Sequence, residues 1–145
     1  VGIGKAAELR KANFLNVKRK TTEMRDSFEE KILQNIPNSK INGHPKDRTG
    51  NSTNILFNGI NGQALVVRLD QMGIRCSQSA ACTNMKPEPS HVLRAMGLSE
   101  EEAYSSVRFS FSEQNTFEEI EKAVNTILEV CEKLHPISVL LSNDN

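Results

Sequence analysis

Hydrophobic positions over residues 3–36 recur at intervals of three and four, and no proline interrupts them before Pro37. This spacing predicts one long amphipathic helix, which Asn35 and Pro37 end and which bends near residues 13–16. A straight helix of about 30 residues would be about 45 Å long. We therefore expect the chain to begin with a helix that is long for a domain of its size.

The rest of the chain alternates between short strands and shorter helices. Short strands are predicted at residues 40–42, 53–57, 74–76 and 107–111, and the last of these alternates with a period of two residues. Helical spacing predicts helices at residues 62–72, 90–97 and 116–134, with a single turn from Ser99 to Glu102. This order predicts an α/β (α+β) fold of two layers, a small, mostly antiparallel sheet covered by helices. One domain is expected over residues 1–137, followed by a disordered tail at residues 138–145.

Two details of these elements bear on the site. Residues 43–52 are dense in turn formers and predict a solvated surface loop, in which His44 belongs to a turn rather than to a catalytic group. In the helix predicted at residues 90–97, Ser90 is the expected N-cap, and Val92, Leu93 and Met96 are the expected apolar face.

Composition narrows the class of protein. A length of 145 residues with 37% apolar and 25% charged residues suits one ordinary globular domain. No apolar run approaches the roughly 20 residues of a membrane span, and the sequence has no signal-peptide pattern. The chain begins at Val1 rather than at a methionine, so we expect a processed product or a piece of a longer protein.

Charge is balanced overall but uneven along the chain. Residues 1–50 hold 11 Lys and Arg against 6 Asp and Glu, whereas residues 98–145 hold 3 against 10. The basic residues alternate with apolar ones at helical spacing, and no nucleic-acid-binding motif accompanies them. The pattern favours a solvated helix face and indicates neither a nucleic-acid nor a membrane partner.

The three cysteines suggest a reducing, cytoplasmic location with free thiols. Cys76 and Cys82 have five residues between them, which does not match the two-residue spacing usual in zinc knuckles. No metal site is predicted, although a disulfide or metal site formed by these two residues remains an alternative. Cys131 follows apolar positions of the last predicted helix and is expected to pack as a small hydrophobic residue.

Cys82 is the first candidate for chemistry. It lies among small and polar residues ahead of Pro87 and Pro89, which disfavour helix before Ser90. An exposed thiol with Lys86 nearby is expected to supply a reactive thiolate on a mobile loop. An incidental surface cysteine is the alternative interpretation.

Arg108 is the second candidate. The alternation over residues 107–111 puts Val107, Phe109 and Phe111 on one strand face and Arg108 on the other. A guanidinium held on a strand can bind a carboxylate with two hydrogen bonds, although a solvated sheet-face arginine fits the same alternation. His91, in the first turn of a predicted helix beside the thiol loop, is a possible proton-exchange partner of Cys82.

Four segments carry a resemblance to a known family: Ala81-Cys82-Thr83, Glu88-Pro89-Ser90, residues 92–98 and residues 105–110. In order and spacing they resemble the C-terminal part of the NifS/IscS-like cysteine desulfurases. These are pyridoxal-phosphate enzymes of the class V aminotransferase fold, and the chain is similar to their small domain from about Val1 to Leu134. The resemblance therefore implies the C-terminal domain of a fold-type I pyridoxal-phosphate enzyme.

The resemblance also implies roles and partners. Cys82 would attack the sulfur of a cofactor-bound cysteine, become a persulfide and pass sulfur to an acceptor or iron–sulfur scaffold protein. Arg108 would bind the α-carboxylate of that substrate cysteine. A large cofactor-binding domain or subunit is the implied partner, and a homodimer is the implied assembly. The chain departs from the family at Ser79-Ala80, where relatives commonly have Gly-Ser, and at His91, where they often have tyrosine.

The sequence lacks the motif that attaches the cofactor in this family. The family holds pyridoxal phosphate on the lysine of a Ser-x-His-Lys motif in a preceding larger domain. No lysine here directly follows a histidine, and no glycine-rich phosphate-binding loop is present. The chain alone is therefore expected not to bind the cofactor covalently. A stand-alone persulfide carrier or regulatory partner, and an inactive structural remnant, remain the alternatives.

Overall fold

A computed structural model describes residues 2–78 and 89–134 of the chain. The described elements follow in the order α1 (Gly2–Asn35), β1 (Ser39–Asn42), β2 (Ser52–Phe57), α2 (Gly62–Gln71), α3 (His91–Ala95), α4 (Glu100–Tyr104), β3 (Ser106–Ser110) and α5 (Phe117–Leu134). The tail predicted at residues 138–145 lies outside the described residues. Within the described ranges, no helix has the length and apolar character that crossing a membrane requires.

Helix α1 is one uninterrupted helix of 34 residues, continuous through residues 13–16. Its buried residues all lie in its second half, among them Met24, Phe28 and Ile32. The apolar positions near its start face solvent, with Ile3 91% and Leu15 77% exposed. The long predicted helix is confirmed, but helical spacing alone did not reveal that its first half extends past the core.

The three described strands form one antiparallel sheet in the order β1-β2-β3. Ile55 and Phe57 of β2 and Val107 and Phe109 of β3 are buried on one face, against α1, α2 and α5. The ring of Phe28 on α1 lies 5.0 Å from that of Phe109, measured between centroids. Strand alternation therefore directs the apolar residues into one core, and the predicted two-layer fold is confirmed.

The strand predicted at residues 74–76 is wrong. Gly73 adopts a positive φ of 82°, and the Ile74 amide donates to Leu69 O at 2.9 Å, so this backbone closes the end of α2 instead of pairing with β3. Pairing with β3 occurs later, as an isolated bridge at Ser77.

Helices α3 and α4 are short and pack differently from the long helices. Leu93 is the buried residue of α3, whereas Val92 and Met96 are exposed, which corrects the predicted three-residue apolar face. The predicted capping box at the start of α4 is confirmed, because Glu102 N donates to Ser99 Oγ and Ser99 N donates to Glu102 Oε2. Helix α4 packs near β2, where Leu56 is buried.

The loop at residues 43–52 is exposed at His44, as predicted, but α1 holds its second half. Arg48 makes a bidentate ion pair with Glu29, whose side chain is only 8% exposed. The guanidinium of the buried Arg25 donates to Thr49 O at 2.7 Å. Two cations therefore fasten this loop to the buried half of α1.

Basic residues of α1 meet acidic segments from late in the chain. Arg10 pairs with the Glu113 carboxylate at 3.2 Å, Lys20 donates to the Glu113 carbonyl at 2.7 Å, and Lys31 pairs with Glu121 on α5. The uneven charge along the sequence is thus partly neutralised within the domain.

Candidate functional site

Ser77 and Arg108 are joined through their backbones. Ser77 N donates to Arg108 O at 3.0 Å, and Arg108 N donates to Ser77 O at 2.6 Å. Ser77 therefore lies beside β3, on the side away from β2. Residues 79–88, which include Cys82, fall outside the described residues and begin two positions after Ser77.

Gln78 and Gly62 add contacts next to the backbone bridge between Ser77 and Arg108. The Gln78 side-chain amide donates to the carbonyl of Tyr104 at the end of α4. A Cβ atom at Gly62 would lie 2.3 Å from that carbonyl oxygen and 3.1 Å from Gln78 Nε2. Glycine at the first position of α2 thus permits α2, the end of α4 and the Gln78 side chain to lie in contact.

Ser90, two residues after the undescribed residues 79–88, lies at the start of helix α3. Ser90 is the N-cap of α3, and its Oγ accepts a hydrogen bond from Leu93 N at 3.5 Å, which confirms the predicted cap. His91 follows as the first, exposed residue of α3. Within the described ranges its ring makes no hydrogen bond or ion pair, so the proposed exchange of protons with Cys82 stays a prediction.

Arg108 lies on the sheet face opposite the core, because Val107 and Phe109 on either side of it are buried while Arg108 is exposed. Strand register adds neighbours that the sequence analysis missed. Asn42 pairs with Asn54, and Asn54 pairs with Arg108. Since directly paired residues of antiparallel strands share a face about 5 Å apart, Asn42, Asn54, Arg108 and Ser77 form one polar row across the sheet.

A side-chain network lies at one end of this polar row. Asn42 is buried, and its Nδ2 donates to Asn54 Oδ1 at 2.7 Å and to Ser106 Oγ at 3.0 Å. Ser106 Oγ donates in turn to Glu102 O at 2.7 Å. A buried amide that uses both of its N–H groups in this way has a fixed orientation. Only the strand register, which the sequence analysis did not contain, could have identified these residues.

The two described cysteines are poorly suited to nucleophilic chemistry. Burial, with a smaller contribution from Asp70, raises the pKa of the half-buried Cys76 thiol to about 11. Burial likewise raises the pKa of Cys131 to about 12, and its place in the core confirms the predicted hydrophobic role. Cys76 is a free cysteine in this structure, so the alternative of a disulfide at Cys76 is not found.

Residues 2–78 and 89–134 contain neither a candidate metal cluster nor a desolvated lysine. No group of three or more His, Cys, Asp or Glu side chains in these ranges could hold a metal ion. A lysine that forms a Schiff base is usually activated in a desolvated pocket or beside another cation. Every lysine within residues 2–78 and 89–134 is exposed or half-exposed, so none is desolvated in this way.

Comparison with known proteins gives the family. The sequence profile of the class-V aminotransferases matches residues 1–123. Cysteine desulfurase 2 of Trichormus variabilis is 43% identical over 144 residues, which are 99% of this chain and 36% of that protein. The cysteine desulfurase IscS of Methanosarcina thermophila is 37% identical over 140 residues, 97% of this chain and 34% of that protein.

Solved structures agree with this match. A NifS-like protein from Rickettsia africae superposes with a TM-score of 0.78 at 32% identity, over 90% of this chain and 33% of that one. The chain thus spans about a third of the length of its relatives. The predicted family is confirmed: this chain belongs to the class-V aminotransferases and is similar to the NifS-like cysteine desulfurases among them.

Proposed function

We propose that this chain is the C-terminal small domain of a pyridoxal-phosphate-dependent cysteine desulfurase. In this proposal Cys82 is the sulfur-accepting thiol, and Arg108 binds the α-carboxylate of L-cysteine. The observation that carries the proposal is the backbone bridge between Ser77 and Arg108. Cys82 is five residues beyond Ser77, and five residues of extended chain span at most about 18 Å. The thiol therefore belongs to a segment tethered beside the proposed carboxylate site.

Each residue has a defined task. The Arg108 guanidinium can hold a carboxylate with two parallel hydrogen bonds, and its place on a strand limits its motion. The Cys82 thiolate forms an S–S bond with the sulfur of the substrate cysteine. The bond between that sulfur and its carbon breaks, and its electron pair stays with the carbon fragment. The resulting persulfide on Cys82 is then available to an acceptor protein.

Pyridoxal phosphate, held by the rest of the enzyme, would supply the activation of the carbon–sulfur bond. Two observations support the need for that larger part. The chain covers about a third of its relatives, and none of its described lysines is desolvated. A homodimer and an iron–sulfur scaffold or other sulfur acceptor belong to the same proposal.

The exposed first half of α1 is the surface where we expect the larger part to pack. Its apolar residues Ile3, Leu9 and Leu15 are all exposed. Beside it lies a groove of about 670 Å³ between α1, residues 48–51 and residues 111–113. Phe14, Val17 and Phe111 contribute apolar surface to this groove. Burying these apolar surfaces against the larger part would stabilise the assembly by about 25 cal/mol per Å² of apolar area buried.

Reconstitution tests the proposal. The chain is mixed with the remaining two thirds of a relative such as the Trichormus variabilis desulfurase, and sulfide release from L-cysteine is measured with a thiol reductant present. The mixture should be active, and Cys82→Ala should abolish its activity. Arg108→Lys should raise KM by about tenfold or more, because the bidentate contact is lost.

Matched variants are Cys76→Ala and Arg75→Lys, which we expect to retain activity within about twofold because neither residue has a task in the proposal. An active mixture in which Cys82→Ala is as fast as the parent chain would refute the assignment of Cys82. If every mixture is inactive but Cys82 still gains sulfur from an intact desulfurase, the chain is a persulfide carrier rather than an enzyme domain. That outcome is the alternative function, and the lack of a desolvated lysine in the described chain is the observation that favours it.

A further inference from the structure

The polar row contains a second group suited to bind an anion, at Asn54. The hydrogen bonds determine how its amide is oriented. Ser106 has one hydroxyl hydrogen and donates it to Glu102 O at 2.7 Å. Its Oγ can therefore only accept from Asn42, so the Asn42 atom at 3.0 Å must be Nδ2.

The same reasoning carries over to Asn54. Nδ2 of Asn42 is a donor only, so the Asn54 atom 2.7 Å from it must be the acceptor Oδ1. Asn54 stands between Asn42 and Arg108 in the register. Because the two terminal atoms of a planar amide diverge, an Oδ1 bound to Asn42 leaves Nδ2 on the other side of the amide.

Arg108 is the next residue of the row on that side. Among the described residues, neither the Arg108 guanidinium nor Asn54 Nδ2 has a hydrogen-bond partner. Both groups are donors only, so they cannot satisfy each other. Two adjacent donors that share one sheet face can be satisfied together by an anion with two oxygen atoms.

We propose that Asn54 Nδ2 is a second donor to the carboxylate held by Arg108, oriented by the relay from the Glu102 carbonyl through Ser106 and Asn42. This inference rests on the proposed function, since it concerns the same carboxylate. It makes Asn54 a substrate-binding residue, and it makes Asn42 and Ser106 positioning residues. It also ties the geometry of the site to α4, because Glu102 belongs to that helix.

Nuclear magnetic resonance of the ¹⁵N-labelled 145-residue chain tests this inference without the cofactor. The signals followed are the Asn54 side-chain NH₂ and the Arg108 Nε–H. The chain is titrated at constant ionic strength with 3-mercaptopropionate, which has the carboxylate and thiol of cysteine but no amine. Cysteamine, which lacks the carboxylate, is the control ligand. Both signals should shift with the same dissociation constant for 3-mercaptopropionate and stay unchanged with cysteamine.

A variant adds a second readout. Asn54→Asp keeps an oxygen toward Asn42 but replaces the donor by a negatively charged oxygen, so the dissociation constant should rise about tenfold or more. Asn58→Asp, which adds the same charge in the exposed turn after β2, should change it less than about twofold.

The outcomes separate the two proposals. A saturable shift at Arg108 without one at Asn54, or unchanged affinity in Asn54→Asp, overturns the role of Asn54 and leaves the Arg108 carboxylate site in place. No saturable shift at either residue overturns both.

Discussion

Ser77 and Arg108 exchange both of their backbone hydrogen bonds, at 3.0 and 2.6 Å. The contact depends on main-chain atoms, so it does not require particular side chains in the segment that follows Ser77. One backbone bridge therefore joins Ser77 to the residue that carries the cation.

Gly62 is the position where a small substitution should disturb that arrangement most. In Gly62→Ala the new methyl group would lie 2.3 Å from Tyr104 O, a backbone atom that cannot move without α4. We expect a loss of about 1–3 kcal/mol in the free energy of unfolding, the usual result of overpacking. Urea denaturation followed by circular dichroism measures it.

Gly4→Ala is the matched control for Gly62→Ala. Gly4 lies inside α1 with no atom within 4 Å of the added Cβ, and alanine there should stabilise the helix by about 0.5–1 kcal/mol. Equal effects of the two substitutions would show that the close approach at Gly62 has no energetic importance.

The ion pair between Glu29 and Arg48 should stabilise the domain substantially. The Glu29 side chain is 8% exposed and that of Arg48 is 17% exposed, so Glu29→Gln would leave a cation with little water around it. We expect a loss of about 3 kcal/mol, as found when one partner of a buried pair is removed. Chemical denaturation measures it, with Glu23→Gln on the exposed surface of α1 as the control, expected within about 0.5 kcal/mol of the parent chain.

Alkaline pH should reveal the buried thiol of Cys131. Its pKa is raised by burial from 9.0 to about 12, so the unfolded chain releases this proton at lower pH than the folded one. The stabilising contribution is therefore complete below pH 9 and is lost as pH rises toward 12, by up to about 1.4 kcal/mol per pH unit.

The difference between the parent chain and Cys131→Ala isolates this group from other residues that titrate in alkali. Unfolding free energies of both proteins are measured between pH 8 and about 11. The parent should lose stability more steeply than the variant. Parallel pH profiles would mean that Cys131 is not shielded from water.

The long helix, the apolar face of β3 and the helix caps were predictable from sequence because each depends on local spacing. Val107, Phe109 and Phe111 alternate with polar residues, and this pattern alone assigns them to the core. Ser99 and Glu102 fit a capping box, which involves only residues three apart. The family motifs were equally local.

Features that depend on contacts between distant segments were not predictable. Asn54 becomes a neighbour of Arg108 only through the register of two strands more than 50 residues apart in the chain. A strand was expected at residues 74–76, but the Ile74 amide donates to Leu69 O and closes the end of α2 instead of pairing with a strand. Periodicity in α1 identified apolar positions without indicating that the first half of the helix lies beyond the core.

The most direct measurement is the mass of each cysteine-containing peptide after the reconstituted mixture has turned over L-cysteine without reductant. The proposed function predicts a persulfide, an increase of about 32 Da, on the peptide that contains Cys82. Cys76 and Cys131 should stay unmodified because burial raises their pKa values to about 11 and about 12. Sulfur on Cys76 or Cys131 instead, or sulfide release with Cys82 never modified, would contradict the assignment of Cys82 as the sulfur acceptor beside Arg108.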